Sequence, residues 1–211
     1  MEGLIGKKLG MTQVFDSEGH RVAVTVLEAG PCVVIQRKTT EKDGYDAVQL
    51  GFGDQKESRM SKPAMGRFKA AGTAPKVVLR EFPVNGEEEL KAGDTLTVQD
   101  VFDGTTFVDV LGVTKGRGFA GAIKRHNFAR GRMTHGSHNK RRPGAIGQCA
   151  YPGRVAKGKK MPGQMGGVNV LEENLKVVEL KGEENLLLVK GAVPGATGSI
   201  VYIKKSLKKR G

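Results

Sequence analysis

Two glycine-rich stretches of this chain have the residue types and spacing that hold phosphate. Gly116-Arg117-Gly118-Phe119-Ala120-Gly121 matches G-x-G-x-x-G, follows a predicted strand and opens a possible helix, the setting of a dinucleotide site. That chemistry also needs an acid about twenty residues further on to hold a ribose, and none stands there. Gly153-Arg154-Val155-Ala156-Lys157-Gly158-Lys159-Lys160 fits G-x-x-x-x-G-K, yet Lys160 occupies the place of the Ser or Thr that ligates magnesium, and Met161-Pro162 breaks the helix that should follow. His135-x-x-His138 and Cys149 offer three metal-type or nucleophilic groups, but zinc takes about four ligands, and no acid or second cysteine is near. Asn139 and Gln148 are weak candidates to orient a Cys–His dyad. The expectation is therefore no cofactor, no metal site and no catalytic residue. Both phosphate-like matches have one simpler reading: glycine lets backbone approach phosphate, and the adjacent Lys or Arg neutralises it.

Charge distribution supports that reading. From Val110 to Leu171 the chain runs 62 residues without an acidic side chain, and this window holds thirteen Lys or Arg and thirteen Gly. The whole chain has 35 basic and 22 acidic residues, so outside the window the two balance at 22 each and the net charge of +13 belongs to the window alone. Uncompensated charge on a glycine-rich backbone repels itself and calls for a polyanion, nucleic acid above all. Phe119, Phe128, Met133, Tyr151, Met161 and Met165 are the large apolar groups available there to wedge between or stack on unpaired bases.

The flanks must supply the core, built mostly from Val, Leu and Ile because aromatics make up 5% of residues and Trp is absent. Short β-branched runs predict strands over 22–28, 32–38, 47–52, 77–82, 95–98, 107–114, 175–180, 186–189 and 199–204. Turns are expected at Lys42-Asp43-Gly44, at 86–89 and at 181–185, and a tight loop over Val193–Gly198. The polar stretch 56–71 reads as a basic surface helix with Pro63 in its first turn. Within the window 119–128 reads as a short helix, and 129–167 shows no sustained period, which predicts an irregular arm ordered by its partner. The tail from Lys204 reads as frayed. Close spacing of short strands favours a barrel or sandwich: a mainly β chain with minor α, residues 1–114 and 172–211 forming the β domain with a small helical insertion at 56–71, and 115–171 the inserted basic arm. Cys32 and Cys149 read as reduced thiols. The absence of an apolar leader or membrane-length run leads to the expectation of a soluble intracellular protein.

The order of motifs resembles that of the bacterial large-subunit ribosomal protein L3 family. Val108-Asp109-Val110, Gly112 through Gly121 and Lys124-Arg125-His126-Asn127-Phe128 are similar to its signature. Gly3 through Thr12 is similar to its opening; Arg141 through Gln148, Pro152 through Val155 and Lys157 through Met161 to its arm; Leu187 through Gly195 to its C-terminal strand and loop. The resemblance spans essentially the whole chain. It implies a six-stranded translation-factor-like β-barrel and a long arm threaded through large-subunit rRNA toward the peptidyl transferase centre. It also implies binding near the 3′ end of that rRNA, an early role in subunit assembly, neighbours of the L14 and L19 families, a cytoplasmic ribosome-bound location, no membrane and no homo-oligomer.

On this reading the phosphate contacts are Lys115, Arg117, Lys124, Arg125, Arg130, Arg132, Lys140, Arg141, Arg142, Arg154, Lys157, Lys159 and Lys160. The resemblance puts the arm tip at Gly147, Gln148, Cys149, Ala150 and Tyr151, with Gln148 where some relatives carry N5-methylglutamine. Three places depart from the family pattern. Tyr151 stands in place of a small Thr, His126 in place of a frequent Trp, and Val168–Asn174 brings in Glu172 and Glu173. The alternative is an RNA-modifying or cofactor-binding barrel enzyme using the basic segment as a substrate clamp. It needs a titratable cluster that the flanks, with His20 and scattered acids, do not offer. A basic chaperone or DNA-compacting protein is a third class, distinguished by indifference to sequence.

Overall fold

A computed structural model describes residues 1–84 and 90–209; the turn expected at 86–89 lies outside them. The chain runs β1 (Gly3–Phe15), β2 (Arg21–Ala29), β3 (Cys32–Lys38), α1 (Thr40–Asp43) and β4 (Ala47–Asp54). A 3-10 turn (Glu57–Arg59) then leads into α2 (Lys62–Ala70), β5 (Lys76–Pro83), β6 (Thr95–Leu96), α3 (Val98–Phe102) and β7 (Phe107–Val113). Next come β8 (Phe119–Ala120), α4 (Ala122–His126) and β9 (Gly163–Gln164), and finally β10 (Asn169–Lys181), β11 (Leu186–Lys190) and β12 (Ile200–Lys205). Two compact units result: Met1–Thr114 with Asn169–Gly211, and Lys115–Val168.

The first unit holds a closed antiparallel six-stranded barrel in the order β1-β12-β7-β10-β11-β2, and a four-stranded sheet in the order β5-β4-β3-β6. Leu4, Ile5, Leu27, Val108, Val110, Leu187, Val189, Val201 and Ile203 from the barrel strands share one buried cluster with Val34, Val48, Leu50 and Phe82 from the sheet and Val98, Val101 and Phe102 from α3. Each such aliphatic side chain removed from water contributes about 1.5–3 kcal/mol, so barrel and sheet stand on a common core.

β1 had no sequence signal, because Gly3, Gly6 and Gly10 interrupt its alternation and glycine is depleted in strands. Sterics explain two of them. A Cβ on Gly3 would sit 2.2 Å from the Ile203 carbonyl oxygen, and one on Gly6 would sit 2.7 Å from that of Glu28. The strand expected over 95–98 stops at Leu96. Thr97 accepts from the Asp100 amide while the Asp100 carboxylate accepts from the Thr97 amide at 2.8 Å, a capping box that starts α3. β10 begins at Asn169, earlier than the expected 175, and pairs Asn169 to Glu172 with Val113 to Val110. Its bulge between Glu172 and Leu175 is centred on Asn174, whose φ is +58°. The Asn174 amide donates to the buried Asp109 carboxylate at 2.7 Å, and the Ser206 hydroxyl donates to the Asn174 side-chain oxygen at 2.8 Å.

That contact corrects the reading of a frayed tail as far as Lys209; Arg210 and Gly211 lie outside the described residues. Lys204 and Lys205 belong to β12, Ser206 is buried, Lys208 pairs with Glu173, and the Lys209 ammonium lies 5.1 Å from the Phe107 ring centre. The Val193–Gly198 loop is held by Lys8, a buried lysine whose ammonium donates to the carbonyls of Val193 (2.7 Å) and Gly195 (3.2 Å). Lys8 and its two acceptors are more than 180 residues apart in sequence, so the pairing was not visible there.

α2 buries Phe68 and half-buries Met65 while Lys62, Gly66, Arg67 and Lys69 are exposed. Pro63 stands in the first turn, where a missing N–H costs nothing. Gly66 has no atom within 4 Å of a virtual Cβ and no positive φ. In a helix interior it costs about 0.5–1 kcal/mol relative to Ala, and neither packing nor backbone conformation of the free chain requires it.

Candidate nucleic-acid interface

The second unit begins by bringing its own ends together. The Arg117 amide donates to the Met165 carbonyl at 2.8 Å and the Met165 amide to that of Gly118 at 2.9 Å. β8 pairs with β9 through Phe119–Gln164 and Ala120–Gly163. Gly166, at φ +73°, is required here, since a Cβ would lie 2.1 Å from the Lys115 carbonyl oxygen. The helix expected over 119–128 shortens to α4, because Phe119 and Ala120 join the ladder and Asn127, at φ +57°, caps the C-terminus in the left-handed region. One Arg125 N–H donates to the Met161 carbonyl at 2.8 Å, and His126 Nε2 lies 3.0 Å from the same oxygen. Arg125 thus has a fixed internal partner, with other guanidinium donors left for a ligand.

Beyond this neck the interior thins out. From Ala129 to Lys160 every residue except Ser137 is exposed. Backbone bonds here are short-range closures: Gly131 to Lys140 (3.1 Å), Ser137 to Thr134 (3.4 Å) and Lys159 to Ala156 (3.3 Å). A Cβ on Gly147 would lie 3.6 Å from the Arg154 carbonyl oxygen, and both residues line an open groove of about 860 Å³. Two segments line it: Ala145, Ile146, Gly147 and Gln148, and Pro152, Arg154, Val155, Ala156, Lys157 and Lys159.

All thirteen cations singled out from the sequence are exposed: Lys115, Arg117, Lys124, Arg125, Arg130, Arg132, Lys140, Arg141, Arg142, Arg154, Lys157, Lys159 and Lys160. Among the described residues none of them enters an ion pair, whereas Lys38, Lys76 and Lys208 of the first unit each hold a carboxylate. The structure gathers Arg154, Lys157 and Lys159 with Gln148 around the groove; Lys115, Arg117, Lys124 and Arg125 belong to the neck. Tyr151 is 89% exposed, Cys149 is exposed, and Phe119 and Met133 also present their side chains to solvent. Phe128, Met161 and Met165 are half-buried, so fewer of the six large apolar groups are free to stack than the sequence indicated. Ile146 and Val155, which carry no sequence signal, supply apolar wall to the groove; only the fold of the loop brings both to it.

Among the described residues no three His, Cys, Asp or Glu side chains converge to hold a metal ion. What the unit offers is a set of exposed cations outside any ion pair among the described residues, exposed rings and thioethers, and glycine-lined backbone. That inventory neutralises phosphate and packs on bases.

Comparison with known proteins gives the family. Residues 81–186 match the family described as Ribosomal protein L3. The large ribosomal subunit protein uL3 of Brachyspira hyodysenteriae is 51% identical over 100% of this chain and 96% of its own length. Its namesake from Heliobacterium modesticaldum is 54% identical over 98% of each chain, and that from Pelotomaculum thermopropionicum 52% identical over 100% of this chain and 99% of its own. With the family pattern matched across half the chain and relatives at this identity along all of it, the chain belongs to the ribosomal protein L3 family.

Proposed function

We propose that this chain is a structural, non-enzymatic constituent of the large ribosomal subunit, ribosome-bound in the cytoplasm, and that its inserted unit binds large-subunit rRNA. The observation that carries the reading is the thirteen exposed cations, none in an ion pair among the described residues, on a 62-residue stretch without an acid. Such a surface lowers its free energy by displacing condensed counterions from phosphate. Family membership supports the finer placement: contact near the 3′ end of the rRNA, a role early in subunit assembly, and neighbours of the L14 and L19 families. The insertion acts as an arm whose Gly147–Tyr151 turn reaches toward the peptidyl transferase centre. Gln148, on the groove wall, is the position for N5-methylation. Ordering the arm costs conformational entropy that binding must offset.

The test is the salt dependence of the full chain binding a transcript of the 3′-terminal domain of large-subunit rRNA. Six to ten neutralised phosphates predict an affinity loss of about 10³–10⁵-fold between 50 and 200 mM salt. A shallow dependence contradicts the proposal. Footprinting with and without residues 129–167 locates the arm: its loss removes protection near the catalytic centre while protection by the barrel unit remains.

A further inference from the structure

A second cationic surface lies in the first unit, outside the insertion. From Gln55 to Pro75 the chain carries Lys56, Arg59, Lys62, Arg67 and Lys69 against one acid, Glu57. All five cations are exposed, and among the described residues none enters an ion pair. The fold directs them outward: Met60, Ala64, Met65, Phe68 and Ala71 form the buried or half-buried side of the 3-10 turn and α2. Lys62 and Lys69 are seven residues apart, two turns along one face and about 10 Å in rise. Gly66 falls between them on that face, open to solvent.

The glycine is informative. A helix-interior glycine without steric or conformational cause weakens the free chain, and its gain is that another molecule can reach the backbone. Cations with long stems flanking a bare stretch of helix match a phosphodiester backbone, which brings negative charge and needs close approach. An acidic peptide would also seek the charge, but the outer face carries no large apolar anchor to bury, which protein interfaces require at their centre.

We infer that the outer face of α2 with the preceding 3-10 turn is a second RNA-backbone contact, engaged together with the inserted unit. This rests on the reading that the chain binds rRNA and extends it to a surface on the other unit. Arg59, Lys62 and Lys69 make the phosphate contacts, and Gly66 keeps the approach clear.

The experiment compares four full-length proteins on the same rRNA transcript, measuring affinity across salt and thermal midpoint. The proteins are wild type, the triple variant Arg59→Gln/Lys62→Gln/Lys69→Gln, Gly66→Leu, and Gly66→Ala. The triple variant is expected to bind about tenfold or more weakly, with a log–log salt slope shallower by about 2, given roughly 0.7–0.9 per lost phosphate. Gly66→Leu is expected to raise the thermal midpoint yet weaken binding several-fold, a combination that misfolding cannot produce. Gly66→Ala is expected to raise the midpoint with a smaller effect on binding. A triple variant with unchanged slope, or Gly66→Leu binding as wild type does, overturns the inference while leaving arm binding intact. Failure of wild type to bind overturns the underlying reading instead. Equal competition by polyglutamate and by the transcript would reassign the face to an acidic protein.

Discussion

Compare the β2–β11 pair of the barrel with the 131–160 stretch of the insertion. In the first, Leu27 and Val26 stand opposite Leu187 and Leu188, and Leu27 and Leu187 are wholly buried in the common core. In the second, thirty residues contribute no buried side chain and short-range backbone closures. Both are parts of one chain, but their free energies come from different sources. The barrel strands are held by water exclusion that is present in isolation. The insertion carries repelling charges and little apolar burial, so its stabilisation has to come from counter-charge. The lesson is that conformation and stability separate along this chain: glycine, a short ladder and a few closures give the insertion its path, while on the proposed function the bound RNA supplies the free energy to hold it.

The sharpest contrast is between the two thiols. Cys32 is fully buried beside the Ile5 carbonyl, and burial pushes its thiol pKa up to about 12; Cys149 is exposed. Under native conditions a thiol reagent should modify one group at once and the other at least about 10³-fold more slowly, through opening of the core. Two thiols reacting at similar rates would erase the distinction between the regions.

Truncations extend it. Leu27→Ala should lower unfolding free energy by about 2–5 kcal/mol by leaving a cavity, whereas Ile146→Ala, on the exposed groove wall, should leave it within about 0.5 kcal/mol. Denaturant titration checks both, and a comparable loss at Ile146 would give the insertion a core of its own. Lys8→Met should cost about 1–3 kcal/mol, since the Val193 and Gly195 carbonyls lose their buried donor, while Lys157→Met, on the groove, should leave stability unchanged and weaken RNA binding.

The smallest effect concerns pH. Hydrogen bonds from Thr97 hold the Asp100 carboxyl below its usual range, and those from Lys38 and Tyr45 do the same for Glu81. A depressed folded pKa contributes stability that is fully present above the unfolded value, about 4, and is lost as pH falls through the folded one. Asp100→Ala should cost about 0.5–2 kcal/mol at pH 7 through the broken capping box, with the deficit shrinking in acid. The deficit staying constant down to pH 2 would remove the capping box as its cause.

What the sequence made legible follows from what is local. Cys32–Lys38 was readable as a strand because consecutive β-branched residues specify it, and it forms with those bounds. The unbalanced charge of 110–171 was readable because composition needs no fold. β1 was missed because its glycines answer to atoms of β12 and β2, far away in sequence. Lys8 is a buried clamp, and Asp109, the last acid before the window, holds a bulge; both roles depend on partners far off in sequence. The groove wall of Ile146 and Val155 was hidden for the same reason: which side chains line one groove in an irregular loop is decided by turns whose spacing carries no period.

The claim beneath this comparison is that RNA, rather than a core of its own, holds the insertion. Amide hydrogen exchange on the full chain, free and with the rRNA transcript, tests it most directly. In the free protein the amides of 131–160 should exchange at nearly unfolded rates while those of Leu27 and Val189 stay protected, and adding the transcript should slow the 131–160 set by orders of magnitude. Strong protection of 131–160 without RNA, matching that of β2 and β11, would contradict the account.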